Sequence, residues 1–393
     1  MSRPGAGSGA PTTVIGRAWA AFLILAALAA GYVAPRFAAT PPPAGSTPAT
    51  STTSGSSESS GPSGSSAPQA TSGSATSAAF TADMEKVFAQ QTTNPSSRAI
   101  AVPGRDGFYF LGDLANANFS QAVGRRVYSA AEVAAAGAAF QAQKRWLAAR
   151  NIPLTVAIAP AKWSIYRDKL PEWTDGMPRP AIADQLLAAY PDLGIIDLRP
   201  QLQEARSQHE VYSRMNSHWT AYGGYVGFLA IYEAMRARDP RLSPLNFPAL
   251  TGVDTVDAFN EFEGLAGIKG ANPWTVPRFA APLPGYDFVN PDGSHTPIAG
   301  GSTIDIVQMP LRTERATAPT KARVLLLVDS TVTSPSPYFA AAFSSTMMLR
   351  HWMDEPAKTP DLAAIVNAYQ PDHVLYLMTE RHLNKPFAPP ALP

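Results

Sequence analysis

The sequence predicts an α/β domain with a mainly parallel sheet and helices on both faces. Three observations carry that expectation. Val324-Leu325-Leu326-Leu327-Val328 is an unbroken apolar run, the pattern of a strand buried on both sides. Helix-length segments alternate with short apolar ones, as from Leu154 to Ala159, Ala181 to Tyr190 and Gly194 to Leu198, which is the rhythm of right-handed βαβ units. The apolar run then stops at Asp329-Ser330, and Pro335 and Pro337 open a helix expected over Tyr338 to Phe343. A strand that ends in a polar pair leaves a side chain at the carboxyl edge of the sheet, where open α/β folds bind ligands. Ser330 is therefore placed like a nucleophile. Turns and N-caps use Asp and Ser for other reasons, so the upstream chain has to decide.

The chain has 393 residues, with 31 Lys and Arg against 30 Asp and Glu. That balance gives no electrostatic footprint for nucleic acid. The absence of cysteine excludes a disulfide framework, a thiolate metal site and a cysteine nucleophile. The six histidines are scattered, and no pair has helical ligand spacing beside an acid, so neither a metal nor another cofactor is expected.

Residues 1–36 read as a short cytoplasmic tail and a single transmembrane signal anchor. Arg3 and Arg17 precede the apolar run from Ala18 to Ala34, and no acid lies before it. Seventeen residues is the lower limit for spanning a bilayer. A cleaved signal peptide is the competing reading. Either places the remainder outside the bacterial inner membrane, in the periplasm or beyond. Residues 37–79 are almost wholly Ser, Thr, Gly, Pro and Ala, with Glu58 the only charge. Such composition predicts a disordered linker with a reach of roughly 35 Å.

Residues 80–393 are expected to form the folded domain. Met84, Val87 and Phe88 mark a first amphipathic helix. Gly104 and Gly107 set a tight turn before the aromatic segment Phe108-Tyr109-Phe110. Ser129 to Arg150 is a helix that opens with a Ser129/Glu132 capping box, buries Val133, Ala136, Phe140 and Leu147, and ends at Asn151 and Pro153. Lys162 follows the carboxyl end of the Leu154 to Ala159 strand. Thr220 is an N-cap for a helix whose inner face is Tyr225, Phe228, Leu229, Tyr232 and Met235. His218 therefore lies in a loop just before a helix. Residues 240–320 are rich in proline and poor in periodicity. A structureless stretch of that length is unusual in a compact domain, so strands are expected there that the pattern does not mark. Glu261 to Gly267 reads as a short helix or loop. A strand from Thr346 to Leu349, a helix from Asp361 to Ala368 and a strand from His373 to Met378 complete the chain.

Several segments, taken in order, resemble the SGNH-hydrolase-like proteins of alginate O-acetylation. They are Gly104-Arg105-Asp106-Gly107-Phe108, Ala159-Pro160-Ala161-Lys162, Arg214 to Thr220, Glu263-Gly264-Leu265-Ala266, Asp329-Ser330, Tyr369 to Val374 and Glu380-Arg381. The resemblance covers about residues 80–385. It implies an SGNH-hydrolase-like, flavodoxin-like fold with a circularly permuted order of catalytic motifs. It implies a Ser-His-Asp triad in which Ser330 is the nucleophile, His218 the general base and position 216 the orienting acid. Position 216 is Asn216, which brings no charge. In the serine-protease triad an Asp-to-Asn change costs roughly ten-thousand-fold in turnover. A slow Ser330–His218 dyad, a replacement acid (Asp197 and Glu210 are near in sequence) and a degenerate glycan-binding site all remain open.

The resemblance also implies substrate contacts from Lys162 and Arg214. Trp163, Trp219 and Trp274, where exposed, could stack on sugar rings, and burial in the core is the other reading for each. Backbone amides of Ser330 and Thr331 are the expected oxyanion donors. No cofactor is needed. The implied partners are a polysaccharide acceptor and a membrane-bound acyltransferase that supplies acetyl groups. The enzymatic reading is an O-acetyltransferase or acetylesterase; the non-enzymatic one is a binding or assembly component of a polysaccharide machine. If Asn216 is the defect, Asn216→Asp is expected to raise activity.

Overall fold

The structure, a computed structural model, describes residues 80–92, 100–356, 361–390 and 392. The expected anchor (1–36) and linker (37–79) lie outside the described residues. Among those described, no helix is long and apolar enough to cross a membrane.

The described residues form twelve strands: β1 (Ala101–Pro103), β2 (Tyr109–Leu111), β3 (Leu154–Ala159), β4 (Ile196–Asp197), β5 (Leu250–Asp257), β6 (Pro273–Phe279), β7 (Tyr286–Val289), β8 (His295–Ile298), β9 (Leu311–Glu314), β10 (Thr320–Val328), β11 (Phe343–Arg350) and β12 (His373–Thr379). Eight of them make one sheet in the order β4-β3-β12-β10-β11-β9-β7-β8. The first five are parallel; β9, β7 and β8 add an antiparallel flank. The mostly parallel sheet packed with helices is the SGNH-hydrolase-like architecture that the sequence predicts. The centre of β10 supplies the core: Val324 to Val328 are each at most 3% exposed. The chain leaves β10 for β11 on one side and returns as β12 on the other, so β3, β12 and β10 lie side by side and end together at one edge.

The helices follow their sequence signals. Ala130–Ala148 begins with the Ser129/Glu132 capping box and buries Ala136, Phe140 and Leu147, the cap being worth about 1 kcal/mol. Ala221–Arg238 is capped by Thr220. Phe228, Tyr232 and Met235 of its expected inner face are buried, whereas Tyr225 and Leu229 are half-buried and Ile231 takes an inner place. Two glycines let this helix pack closely, Gly224 against the chain after β10 and Gly227 against Trp219 of the preceding loop. A Cβ on Gly227 would meet the Trp219 ring at 2.7 Å, and one on Gly224 would meet the Ser334 Cβ at 2.5 Å.

Three expectations change. The helix after Ser330 spans Ser336–Ala342, and Phe343 opens β11; pairing with both β10 and β9 overrides the local helical pattern. Val87 is 37% exposed while Phe88 of the same turn is buried, so the first helix buries a narrower face than its apolar residues imply. Residues 240–320 hold β5 to β9. Pro273, Pro277 and Pro297 lie inside strands, and β5 is exposed or half-buried at every position, so no period-two alternation marks it.

Candidate active site

Asp329 follows β10 directly and caps the helical turn Ser330–Thr333, accepting from the Thr331 amide at 2.9 Å. It also accepts from Thr331 Oγ1 at 2.6 Å, the Thr379 amide at 2.6 Å and Thr379 Oγ1 at 3.0 Å. His351 Nε2 lies 3.2 Å and His382 Nδ1 2.9 Å from Oδ2. Asp329 is fully buried. Burial opposes its ionisation, but the hydrogen bonds and charge of the two histidines outweigh it and hold the carboxyl well below the ordinary range. This rigid anchor leaves Ser330, half-buried, at the sheet edge.

The histidine that meets Ser330 comes from the 211–220 loop. Tyr212 and Trp219 form an isolated bridge, and Thr220 N donates to Val211 O at 2.9 Å, which closes residues 213–218 into a tight excursion. His218 Nε2 lies 2.8 Å from Ser330 Oγ. On its far side Nδ1 lies 3.1 Å from Asn216 Oδ1, which also accepts the His218 backbone amide at 2.9 Å. The sequence-predicted trio Ser330, His218 and Asn216 is thus assembled in order.

Lys162 lies beneath that loop. The expectation of a substrate contact is corrected: the side chain is 4% exposed, and its ammonium donates to Ser213 O at 2.9 Å, Arg214 O at 3.0 Å and Asn216 O at 2.9 Å. Burial pushes its pKa down to about 7, opposed by Glu261 and Glu210. Three carbonyls around one nitrogen require the three protons of the ammonium, so we take the charged form as the one that fits. Trp219 is likewise corrected. It is fully buried, and its indole donates to Thr331 O at 2.7 Å, next to Ser330 in the chain. Thr331 cannot lend its amide to an oxyanion, because Asp329 already takes it. Arg214 is the one remaining expected contact with an exposed side chain; it faces Glu210 at 3.4 Å.

Two further residues reach the site. Arg381 Nη2 donates to Ser330 Oγ at 3.3 Å, and among the described residues no carboxylate lies within ion-pair distance of it. Glu261 Oε2 stands 3.7 Å from His218 Nδ1. Glu261 was hidden in a segment with no clear secondary-structure signal, next to Glu263, which the family resemblance quoted. The sequence neighbours Asp197 and Glu210 are engaged by Arg199 and Arg214.

The ligand atoms of Asp329, His351 and His382 lie within 4.8 Å of one another, close enough to hold a cation. His351 Nδ1 accepts the Asp354 amide at 3.1 Å, which fixes the ring proton on Nε2, facing Asp329. Metal ligation through Nε2 would move that proton to Nδ1, against the amide. The cluster fits a hydrogen-bonded anchor and not a cation.

With this geometry in place, residues 101–275 match the family described as SGNH hydrolase-like domain, acetyltransferase AlgX. Over those residues the chain is similar to that family. The chain is also similar to a probable alginate O-acetylase AlgJ of Azotobacter vinelandii, 32% identical over 91 residues, which are 23% of this chain and 24% of the relative; the match thus spans about a quarter of that relative's length. A structure of Bacillus cereus PatB1 with a sulfonyl adduct has a TM-score of 0.51 at 15% identity, covering 72% of this chain and 97% of that one. The O-acetyltransferase domain of Pseudomonas putida AlgJ gives 0.45 at 16% identity, covering 72% and 92%. His218, Asn216, Lys162 and Glu261 fall within the family-matched residues. Ser330 and Arg381 lie beyond them and are brought in by the sheet.

Proposed function

We propose that this protein is a membrane-tethered, periplasmic O-acetyltransferase, or acetylesterase, that modifies an exopolysaccharide through an acetyl-Ser330 intermediate. The observation that carries this reading is the 2.8 Å contact between Ser330 Oγ and His218 Nε2, with Nδ1 held from behind by Asn216. His218 takes the Ser330 proton as Oγ attacks the acetyl carbonyl of the donor. The tetrahedral oxyanion forms beside the Ser330 amide and the Arg381 guanidinium, a cation where negative charge develops. Collapse expels the donor's leaving group, which receives the proton from His218, and leaves an acetyl ester on Ser330. A sugar hydroxyl then gives its proton to His218 and takes the acetyl group, which restores Ser330; water in its place makes the reaction a hydrolysis.

The N-terminal anchor would hold the domain at the outer face of the inner membrane, where a membrane-bound acyltransferase relays acetyl groups to it. The second reading, glycan binding without turnover, rests on the missing charge at Asn216. The test is acetyl release from p-nitrophenyl acetate by the full-length protein and its Ser330→Ala variant, with intact mass to detect acetyl-enzyme. Release or an adduct that disappears in the variant supports the acyl-enzyme reading. Equal background and no adduct would leave glycan binding.

A further inference from the structure

We propose that the work of one triad aspartate is divided here between two residues: Asn216 fixes the His218 tautomer, and Glu261 supplies the negative charge. The inference rests on the Ser330–His218 reading and extends it.

The orientation of the Asn216 amide follows from its neighbours. The same Oδ1 accepts the His218 backbone N–H at 2.9 Å and faces Nδ1 at 3.1 Å. The backbone donor obliges the oxygen end to point this way, so the ring nitrogen facing it carries the proton. Nε2 then presents its lone pair to Ser330. What an asparagine cannot do is offset the positive charge that His218 gains when it takes the Ser330 proton.

Glu261 stands where that charge is needed. Its Oε2 is 3.7 Å from Nδ1, too far for a good hydrogen bond and close for a charge interaction. It is 3% exposed, so water screens it little. Its position is fixed: Oε1 accepts Ser217 Oγ at 2.9 Å, and Oε2 accepts the Ser217 amide. That amide shares a peptide bond with the Asn216 carbonyl, which Lys162 holds from the other side at 2.9 Å. One peptide of the His218 loop is thus clamped between a buried cation and a buried anion. Burial opposes ionisation of Glu261, but His218 and the Ser217 hydrogen bonds outweigh it and bring the carboxyl to about 2. The charged groups around the imidazole are therefore Glu261 behind Nδ1, Lys162 beneath the loop and Arg381 across Ser330. Only Glu261 is negative and faces the nitrogen that stays protonated. Glu261 acts through His218 and is a positioning residue.

The experiment uses the full-length protein, its Glu261→Gln form and the form that carries both Glu261→Gln and Asn216→Asp. p-Nitrophenyl acetate turnover is measured for each above the Ser330→Ala background, with kcat and KM separated and the urea midpoint as a check on the fold. Gln keeps an acceptor for Ser217 and removes the charge. Glu261→Gln is expected to lower kcat about 10- to 100-fold with KM changed less than about 2-fold. Asn216→Asp in the Glu261→Gln background is expected to restore kcat, because the charge returns at the position where the resemblance puts the acid. A kcat in Glu261→Gln that matches the parent, or a lowered one that Asn216→Asp does not restore, would overturn the inference. A parent that turns over no faster than Ser330→Ala counts against the proposed function, whereas a Ser330-dependent parent unchanged by Glu261→Gln counts against the inference alone.

Discussion

Two buried carboxylates approach the catalytic edge, and each meets histidine, yet they serve opposite ends. Asp329 is enclosed by two hydroxyls, two amides and two buried imidazoles. Glu261 touches one loop peptide and one imidazole, and that imidazole keeps a ring nitrogen on Ser330 with its side chain 14% exposed. A histidine whose two nitrogens both face the protein interior is a structural part. One with a nitrogen on a hydroxyl at the cleft can move a proton. Burial of a carboxylate by itself therefore says little; what its histidine does with the second nitrogen decides.

The largest expected effect separates the two clusters outright. His218→Ala is expected to lower acetyl turnover about 10⁴-fold, whereas His382→Ala should leave most of the turnover and appear in the urea midpoint. Asp329→Ala strips a fully enclosed carboxylate from its donors and leaves His351 and His382 without their anion; urea unfolding should show a loss of about 3–5 kcal/mol.

A smaller effect belongs to Glu261 and has a defined pH window. Its carboxyl lies at about 2 in the folded chain, below the ordinary 4.5. A depressed carboxyl stabilises the fold above its unfolded value, and that contribution fades as pH falls toward the folded one. The stability difference between the parent and Glu261→Gln should narrow as pH falls from about 4.5 to about 2. Equal differences at both ends of that window would mean that the carboxylate is not ionised in the folded chain. Gly227→Ala tests the packing that both clusters share, since the added methyl meets the Trp219 ring at 2.7 Å; a loss of about 1–3 kcal/mol is expected, with reduced turnover through the displaced His218 loop. Arg214→Ala should be the mildest. Its ion pair with Glu210 is exposed, and a stability change within about 0.5 kcal/mol is expected.

Much of the architecture was readable in advance because it depends on local pattern. The apolar run into Asp329-Ser330, the Ser129/Glu132 capping box and the Thr220 cap each form a signal within a few residues, and each forms as expected. The placement of Ser330 and His218 followed from an ordered set of segments. The roles of Lys162 and Trp219 did not. A lysine after a strand and a tryptophan beside a histidine suit a substrate cleft as well as a core, and only the three carbonyls around Nζ and the Thr331 carbonyl at the indole distinguish them. Thr331 looked free to receive an oxyanion because a sequence does not show that the preceding carboxylate turns back onto its amide.

The sequence by itself determined the strands of the parallel core, the caps of the long helices, the candidate pair Ser330 and His218, and the absence of an acid at position 216. These are short-range facts, written in hydrophobic period and cap chemistry. The tertiary structure decided which acid faces His218. Glu261 lies 43 residues from it along the chain, counting from 218 to 261, with no periodic pattern to announce its position. It arrives because Lys162 and Ser217 fix the loop between them, and a long-range electrostatic contact between buried groups exists only once the chain has folded around it.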